Sequence, residues 1–200
     1  MVGIIDYGAG NLYSVRKALR YLGMDSIFIS RAEELDEVRA LILPGVGAFG
    51  EAAHRLEIAG LKRPLQRWID EGRPFLGICL GMQLLGESSE ESATGRGFSL
   101  VRKSCVKIEG PRRIHMGWNR VDFQDDPLFQ NIPRKKAYFY FVHGYALPAD
   151  TEGAIALSEY GTPFAAAFRI GKAYGVQFHP EKSGKNGLIL LKNWRQSWDV

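Results

Sequence analysis

The first ninety residues alternate two kinds of hydrophobic pattern. Short apolar runs, "VGIID" (2–6), "SIFIS" (26–30), "RALILP" (39–44) and "PFLGIC" (74–79), read as buried strands. The segments around 12–22, 48–59, 61–71 and 80–86 instead space their apolar residues at helical intervals. Strand and helix in alternation predict a parallel sheet covered by helices. From about residue 97 the pattern changes to strand-length runs separated by polar turns: "SCVKI", "WNRVDF", "AYFYFVHGY", "AIALSEY", "PFAAAFRI" and "AYGVQFH". One further helix, "GKNGLILLKNWRQSW", follows. The predicted fold class is α/β, with a mostly parallel central sheet flanked by helices and a more strand-rich, mixed or antiparallel second half. No Pro/Ser-rich linker, internal repeat or low-complexity stretch divides the two halves, so residues 1–200 are expected to form a single domain.

Composition narrows the function classes. At 46% hydrophobic residues in 200, a core burying roughly 70% of the unfolded chain's surface is within reach. No apolar run approaches the roughly 20 residues that span a bilayer, and "MVGIIDYGAGN" lacks the basic and apolar segments of a secretory leader. A cytoplasmic protein with no membrane partner is expected. The net charge is +4 and the pI is about 9.1, yet the basic residues are scattered. Their densest groups, "GPRRIH" and "IPRKKAY", fall in loops and read as solvated faces, so no nucleic-acid partner is expected. Two cysteines outside any CxxC or Cys/His ligand spacing predict reduced thiols and no structural metal.

Two glycine patterns invite a nucleotide reading. "GVGAFG" (45–50) is a GxGxxG between a strand and a helix, the context of a dinucleotide site. The acidic residue that should end the next strand is missing: that strand is "PFLGI", and Cys79 ends it. "GAGNLY" lacks the third glycine, and no GxxxxGK[ST] is present, so no phosphate-binding cofactor is expected. The 45–50 loop is left to offer its N–H groups to something other than a pyrophosphate.

Cys79 stands at the switch from strand to helix in "GRPFLGICLGMQLLGE", with Gly77 and Gly81 on either side. Free cysteine is usually a small buried hydrophobe, which suits Cys105 in "SCVKIE". At a strand-to-helix elbow, however, the side chain projects at the carboxyl end of the sheet, where open α/β folds bind ligands. The helix N-terminus favours a thiolate there, and the N–H of Leu80 is placed for an oxyanion. A thiolate acting on a carbonyl also needs a proton carrier. His54 lies on a charged helix face, and His115 and His143 lie in strand-like runs. His179 in "FHPEKSG" is followed by Glu181, and Pro180 restricts His179 to extended backbone, so that residues two apart share a side and the carboxylate backs the imidazole. Cys79, His179 and Glu181 are therefore the candidate catalytic triad.

With these motifs in view, "GICLGMQ", "PGVGAFG" and "FHPE" together resemble the class I, triad-type glutamine amidotransferases. Within that class "IIDYGAGNL", "HMGWN" (115–119), "YFVHGY" (140–145) and "HPEKSG" (179–184) are similar to the glutaminase subunits of imidazole glycerol phosphate synthases in histidine biosynthesis, nearly end to end. The resemblance implies that Cys79 attacks the carboxamide of L-glutamine, that His179 moves the protons and that Glu181 orients His179. It implies an oxyanion hole from the N–H of Leu80 and one from the loop at Val46 and Gly47. Gln83, Glu91, His143 and Tyr145 should line the glutamine pocket, with Glu91 toward the α-ammonium. Gly144 stands where many relatives carry serine, leaving only a backbone contact. The implied partner is a (β/α)8-barrel cyclase that receives the ammonia, and Trp118, Asn119 and Lys182 are its candidate docking residues. Two other readings stay open: a stand-alone cysteine hydrolase, and a nucleotide-binding module without chemistry.

Overall fold

The computed structural model describes residues 1–199. Its centre is an eight-stranded sheet in the spatial order β2 (Ser26–Ile29), β1 (Val2–Ile5), β3 (Ala40–Gly45), β4 (Phe75–Cys79), β12 (Ala173–Val176), β11 (Thr162–Ile170), β10 (Ala154–Tyr160) and β7 (Asp122–Phe123). Strands β1, β2, β3 and β4 run parallel. Helix α1 (Leu12–Tyr21) joins β1 to β2, a 3-10 turn (Ala32–Glu37) joins β2 to β3, and helices α2 (Phe49–Ile58) and α3 (Lys62–Asp70) join β3 to β4. A single helical turn, α4 (Leu80–Gln83), follows β4 directly. The other strands are β5 (Val106–Lys107), β6 (His115–Arg120), β8 (Tyr138–His143) and β9 (Tyr145–Ala146). Helix α5 (Gly184–Gln196) comes last.

The period-two alternation of the parallel strands divides their side chains between two cores. In β3, Ala40 and Ile42 pack with α1 and α5, through Val15, Leu19, Leu190 and Trp194. Leu41 and Leu43 of the same strand pack on the opposite face with Phe49, Leu56, Leu65 and Trp68 of α2 and α3. Each helix supplies its apolar stripe at helical spacing, as in Leu65, Trp68 and Ile69 of α3. A parallel sheet covered on both faces requires strands that are apolar throughout, and β3 and β4 are buried at every position.

The second half departs from the expected runs in two ways. "WNRVDF" breaks at Val121: residues up to Arg120 pair with β8 in a separate two-stranded sheet, while Asp122–Phe123 joins the edge of the main sheet through β10. "AYGVQFH" returns to the centre of the fold. Its strand β12 lies parallel to β4, with Val176 opposite Ile78, and antiparallel to β11. That insertion brings the last third of the chain beside Cys79.

Candidate active site

Three neighbouring strands deliver the site. Gly45, the last residue of β3, is in register with Cys79, the last residue of β4, and His179 lies three residues beyond the end of β12. The loop at Val46 and Gly47, the cysteine and the histidine therefore leave the sheet side by side at its carboxyl edge.

Cys79 sits at φ 54°, ψ −108°, backbone that a non-glycine residue adopts only under constraint. The flanking glycines supply the constraint by allowing close approach. A Cβ on Gly81 would lie 1.8 Å from the Leu43 carbonyl oxygen, and one on Gly77 would lie 2.6 Å from the Gly81 oxygen. Helix α4 is thus pressed onto β3 and β4 as only glycine permits, and the cysteine is left at the apex. The helix spans four residues where the pattern predicted a segment over 80–86, so its dipole is that of a single turn. The N–H of Leu80, in that first turn, has no acceptor within the helix.

His179 and Glu181 form a dry pair, Nδ1 to Oε1 at 2.8 Å, with each side chain only 2% exposed. The contact is not made by extended chain throughout: His179 is extended, but Pro180–Lys182 forms a 3-10 turn that swings the carboxylate back beneath the ring. Ser183, which the sequence reading passed over, holds the turn in place. Its hydroxyl donates to the His179 carbonyl at 2.6 Å and accepts the Tyr140 N–H at 2.9 Å. Burial works to keep His179 neutral, but Cys79 and then Glu181 outweigh it, and the imidazolium is raised to about 10. His179 Nε2 makes no well-formed hydrogen bond. In this geometry the Cys79 thiol donates instead to the Val142 carbonyl, at 3.7 Å.

A cavity of about 200 Å³ opens over the sulfur, lined by Val46, Gly47, Leu80, Glu91, Val142 and Gly144 together with Cys79, Gln83, His143 and Tyr145. It is smaller than a drug-sized site and suits a small metabolite. All the candidate pocket and oxyanion residues thus meet around the cysteine. Gln83 is buried and donates from Nε2 to the Tyr145 carbonyl at 2.8 Å. Glu91 lies in a turn, and its Oε2 accepts the Phe49 N–H at the start of α2 at 2.8 Å. The chain's own carboxylate thereby occupies the anion position that a GxGxxG loop would give to a phosphate. A Cβ on Gly144 would meet only the Arg113 carbonyl, at 3.4 Å, so a serine fits there without displacing the backbone. Gln177, overlooked in the sequence, is fully buried and donates from Nε2 to Cys79 Sγ at 3.6 Å.

The chain matches the family "Glutamine amidotransferase class-I" over residues 3–194. It belongs to the class I glutamine amidotransferases. Among similar proteins, the "Imidazole glycerol phosphate synthase subunit HisH" of Geobacillus kaustophilus (strain HTA426) is 44% identical over 203 residues, covering 97% of this chain and 95% of that one. The protein of the same name from Desulfitobacterium hafniense (strain DSM 10664 / DCB-2) is 46% identical over 198 residues, covering 97% and 93%. A crystal structure of a glutamine amidotransferase superposes with a TM-score of 0.77 at 19% identity, covering 100% and 99% of the two chains. The structure of PurLQS from Thermotoga maritima reaches 0.77 at 16% identity, covering 98% and 97%. Those two likenesses establish the fold.

The remaining candidates lie outside the amidotransferase cavity. Trp118 is 57% exposed and meets Tyr140 edge to face, and Lys182 reaches over the same Tyr140 ring. Its exposure sets aside a core role for Trp118. Asn119, the next residue on β6, lies on the other side of the strand from Trp118, where Nδ2 contacts the Glu159 carbonyl at 2.8 Å and His115 Nε2 at 3.2 Å. His54 is exposed on α2, and Cys105 is fully buried with its thiol pushed up by burial. Among the described residues no helix is long and apolar enough to cross a membrane, and no cluster of ligating side chains is placed for a metal.

Proposed function

We propose that this amidotransferase is the glutaminase subunit of an imidazole glycerol phosphate synthase, hydrolysing L-glutamine through a Cys79 thioester. The observation that carries the chemistry is the strained cysteine at the floor of the small cavity, with the buried His179–Glu181 pair just beyond the end of the adjoining strand. The thiolate of Cys79 attacks the side-chain carboxamide carbon, and the negative charge gathers on its oxygen near the N–H of Leu80 and a second N–H from the loop at Val46 and Gly47. One such donor is worth about 3 to 4 kcal/mol in the transition state. His179, charged in the resting site, gives its proton to the departing nitrogen as the C–N bond breaks, so ammonia leaves. The now neutral imidazole takes a proton from water, whose oxygen attacks the thioester carbon. The C–S bond breaks, glutamate is released, and the thiolate and imidazolium are restored. Glu181 orients the ring. Glu91 and the walls at Gln83, His143, Gly144 and Tyr145 hold the amino-acid end of the substrate.

Ammonia released into water is lost as ammonium, so a second active site must receive it. The name of the relatives, a synthase subunit, supports a synthase partner. We place there a (β/α)8-barrel cyclase that converts a phosphorylated ribulosyl aminoimidazole carboxamide nucleotide to imidazole glycerol phosphate and an aminoimidazole carboxamide ribotide. Met116 at 65% and Trp118 at 57% exposure share the outer face of β6, with Tyr138 beside them on β8. Together with Lys182 they make an apolar, cation-edged surface next to the His179 turn, and this is the proposed docking face. The test is glutamate release from L-glutamine by the chain alone and with the cyclase and its nucleotide. Release that rises with partner and nucleotide and falls about 10⁴-fold or more in Cys79→Ala supports the proposal. Release that survives Cys79→Ala, or that never responds to the cyclase, overturns it.

A further inference from the structure

We propose that Gln177 is an additional catalytic residue: its buried amide donates a hydrogen bond to the Cys79 sulfur, held in that orientation by Gln83, which the Tyr145 carbonyl orients in turn. The inference rests on Cys79 being the nucleophile and adds a group acting on its sulfur.

The argument turns on direction. The Tyr145 carbonyl can only accept, and two side chains meet it, His143 Nδ1 at 2.9 Å and Gln83 Nε2 at 2.8 Å. His143 Nδ1 therefore carries a proton. In neutral His143 the other nitrogen accepts, and His115 Nδ1 lies 3.1 Å from it as donor. That leaves His115 Nε2 to accept from Asn119 Nδ2 at 3.2 Å. Each link has one donor and one acceptor only if both rings are neutral. Their environment agrees: burial lowers His115 to about 4, and burial with the neighbouring His115 lowers His143 to about 3.

On the other side of the carbonyl, the second N–H of the Gln83 amide points at Gln177 Oε1, 3.2 Å away. Because Gln83 presents a donor, Gln177 must turn its oxygen toward it, and its NH₂ group is left facing Cys79 Sγ at 3.6 Å. A flipped Gln177 would set two NH₂ groups against each other in a site that water does not reach, since Gln177 is 0% exposed. The amide is thus a fixed donor, desolvated and aimed at the reacting sulfur. Such a bond is strongest when the sulfur is charged, before attack and again when the thioester sulfur departs as thiolate during hydrolysis. It weakens while the sulfur is bonded to the acyl carbon. The contribution is therefore to populating the thiolate and to expelling it when the thioester is hydrolysed, and it leaves substrate binding nearly unchanged.

The test compares Gln177→Met, which removes both amide groups in a side chain of similar length, with Gln177→Leu, which removes them in a shorter, branched one. Carboxamidomethylation of Cys79 by iodoacetamide is followed across pH in the full chain, mapped by mass so that Cys105 does not contribute. Glutamate release is followed with the cyclase present. Both variants should react about tenfold or more slowly at neutral pH and recover the wild-type rate in alkali, with kcat reduced and KM nearly unchanged. Unaltered reactivity and kcat in both variants would overturn the proposal, and so would a loss by the same factor at every pH. Glutamate release retained by Cys79→Ala would instead remove the nucleophile on which the inference rests, a separate failure read in a separate assay.

Discussion

Glu181→Gln removes a charge and leaves the shape of the site in place. The glutamine carbonyl can still accept from His179 Nδ1, so the ring keeps its orientation while the imidazolium loses a counter-ion 2.8 Å away in a site with 2% exposure. Removing one partner of a buried ion pair costs about 3 to 5 kcal/mol. His179 can avoid that cost by releasing its proton, and about 3 kcal/mol corresponds to about two pH units. The imidazolium, raised to about 10 in the native site against an ordinary 6.5, should then titrate about two units lower, with Cys79 still holding it above the ordinary value. The alkaline limb of kcat/KM for glutamate release should move down by about two units. The stability signature has a definite sign. A histidine raised on folding contributes stability that is fully present below about 6.5 and is lost as pH rises through about 10. The Tm gap between native chain and variant should therefore be widest near pH 6 and close in strong alkali. An alkaline limb that stays where it was, with a Tm gap that does not change with pH, would refute the pairing and leave Glu181 a packing residue.

Gly81→Ala places a methyl carbon 1.8 Å from the Leu43 oxygen, so the elbow must open; a stability loss of about 3 kcal/mol by urea titration and near-complete loss of glutaminase activity are expected. Glu91→Gln removes the anion at the first turn of α2 and the proposed partner of the substrate ammonium. KM for glutamine should rise about tenfold while chemical denaturation shows a loss of only about 0.5 to 1 kcal/mol. Trp118→Ala, at an exposed position, should leave the isolated chain within about 0.5 kcal/mol of native stability. Affinity for the cyclase, measured by titration of stimulated glutamate release, should weaken by about 2 kcal/mol or more.

What the sequence determined by itself was local. Apolar runs with glycine on either side of Cys79 specify a strand, a sharp turn and the start of a helix, because the close approach of Gly77 and Gly81 is a requirement on residue type. The sheet class follows from periodicity, and His179 with Glu181 was legible because two residues on a short, proline-constrained segment meet whatever the rest of the chain does. Even there the path was different: a 3-10 turn, not extended chain, makes the contact. Tertiary structure decided everything that depends on strands far apart in sequence. The parallel pairing of β12 with β4 brings residues a hundred positions apart to one edge, and no local pattern encodes which central strand a late segment will join. Asn119 was a docking candidate together with Trp118, and alternation along β6 turns the two to opposite sides, Asn119 toward His115. Gln177 carried no signal, since a lone polar residue in an apolar strand acquires its meaning only from what stands opposite. Here that is Cys79 on one side and Gln83 on the other, and only the packed sheet places them there.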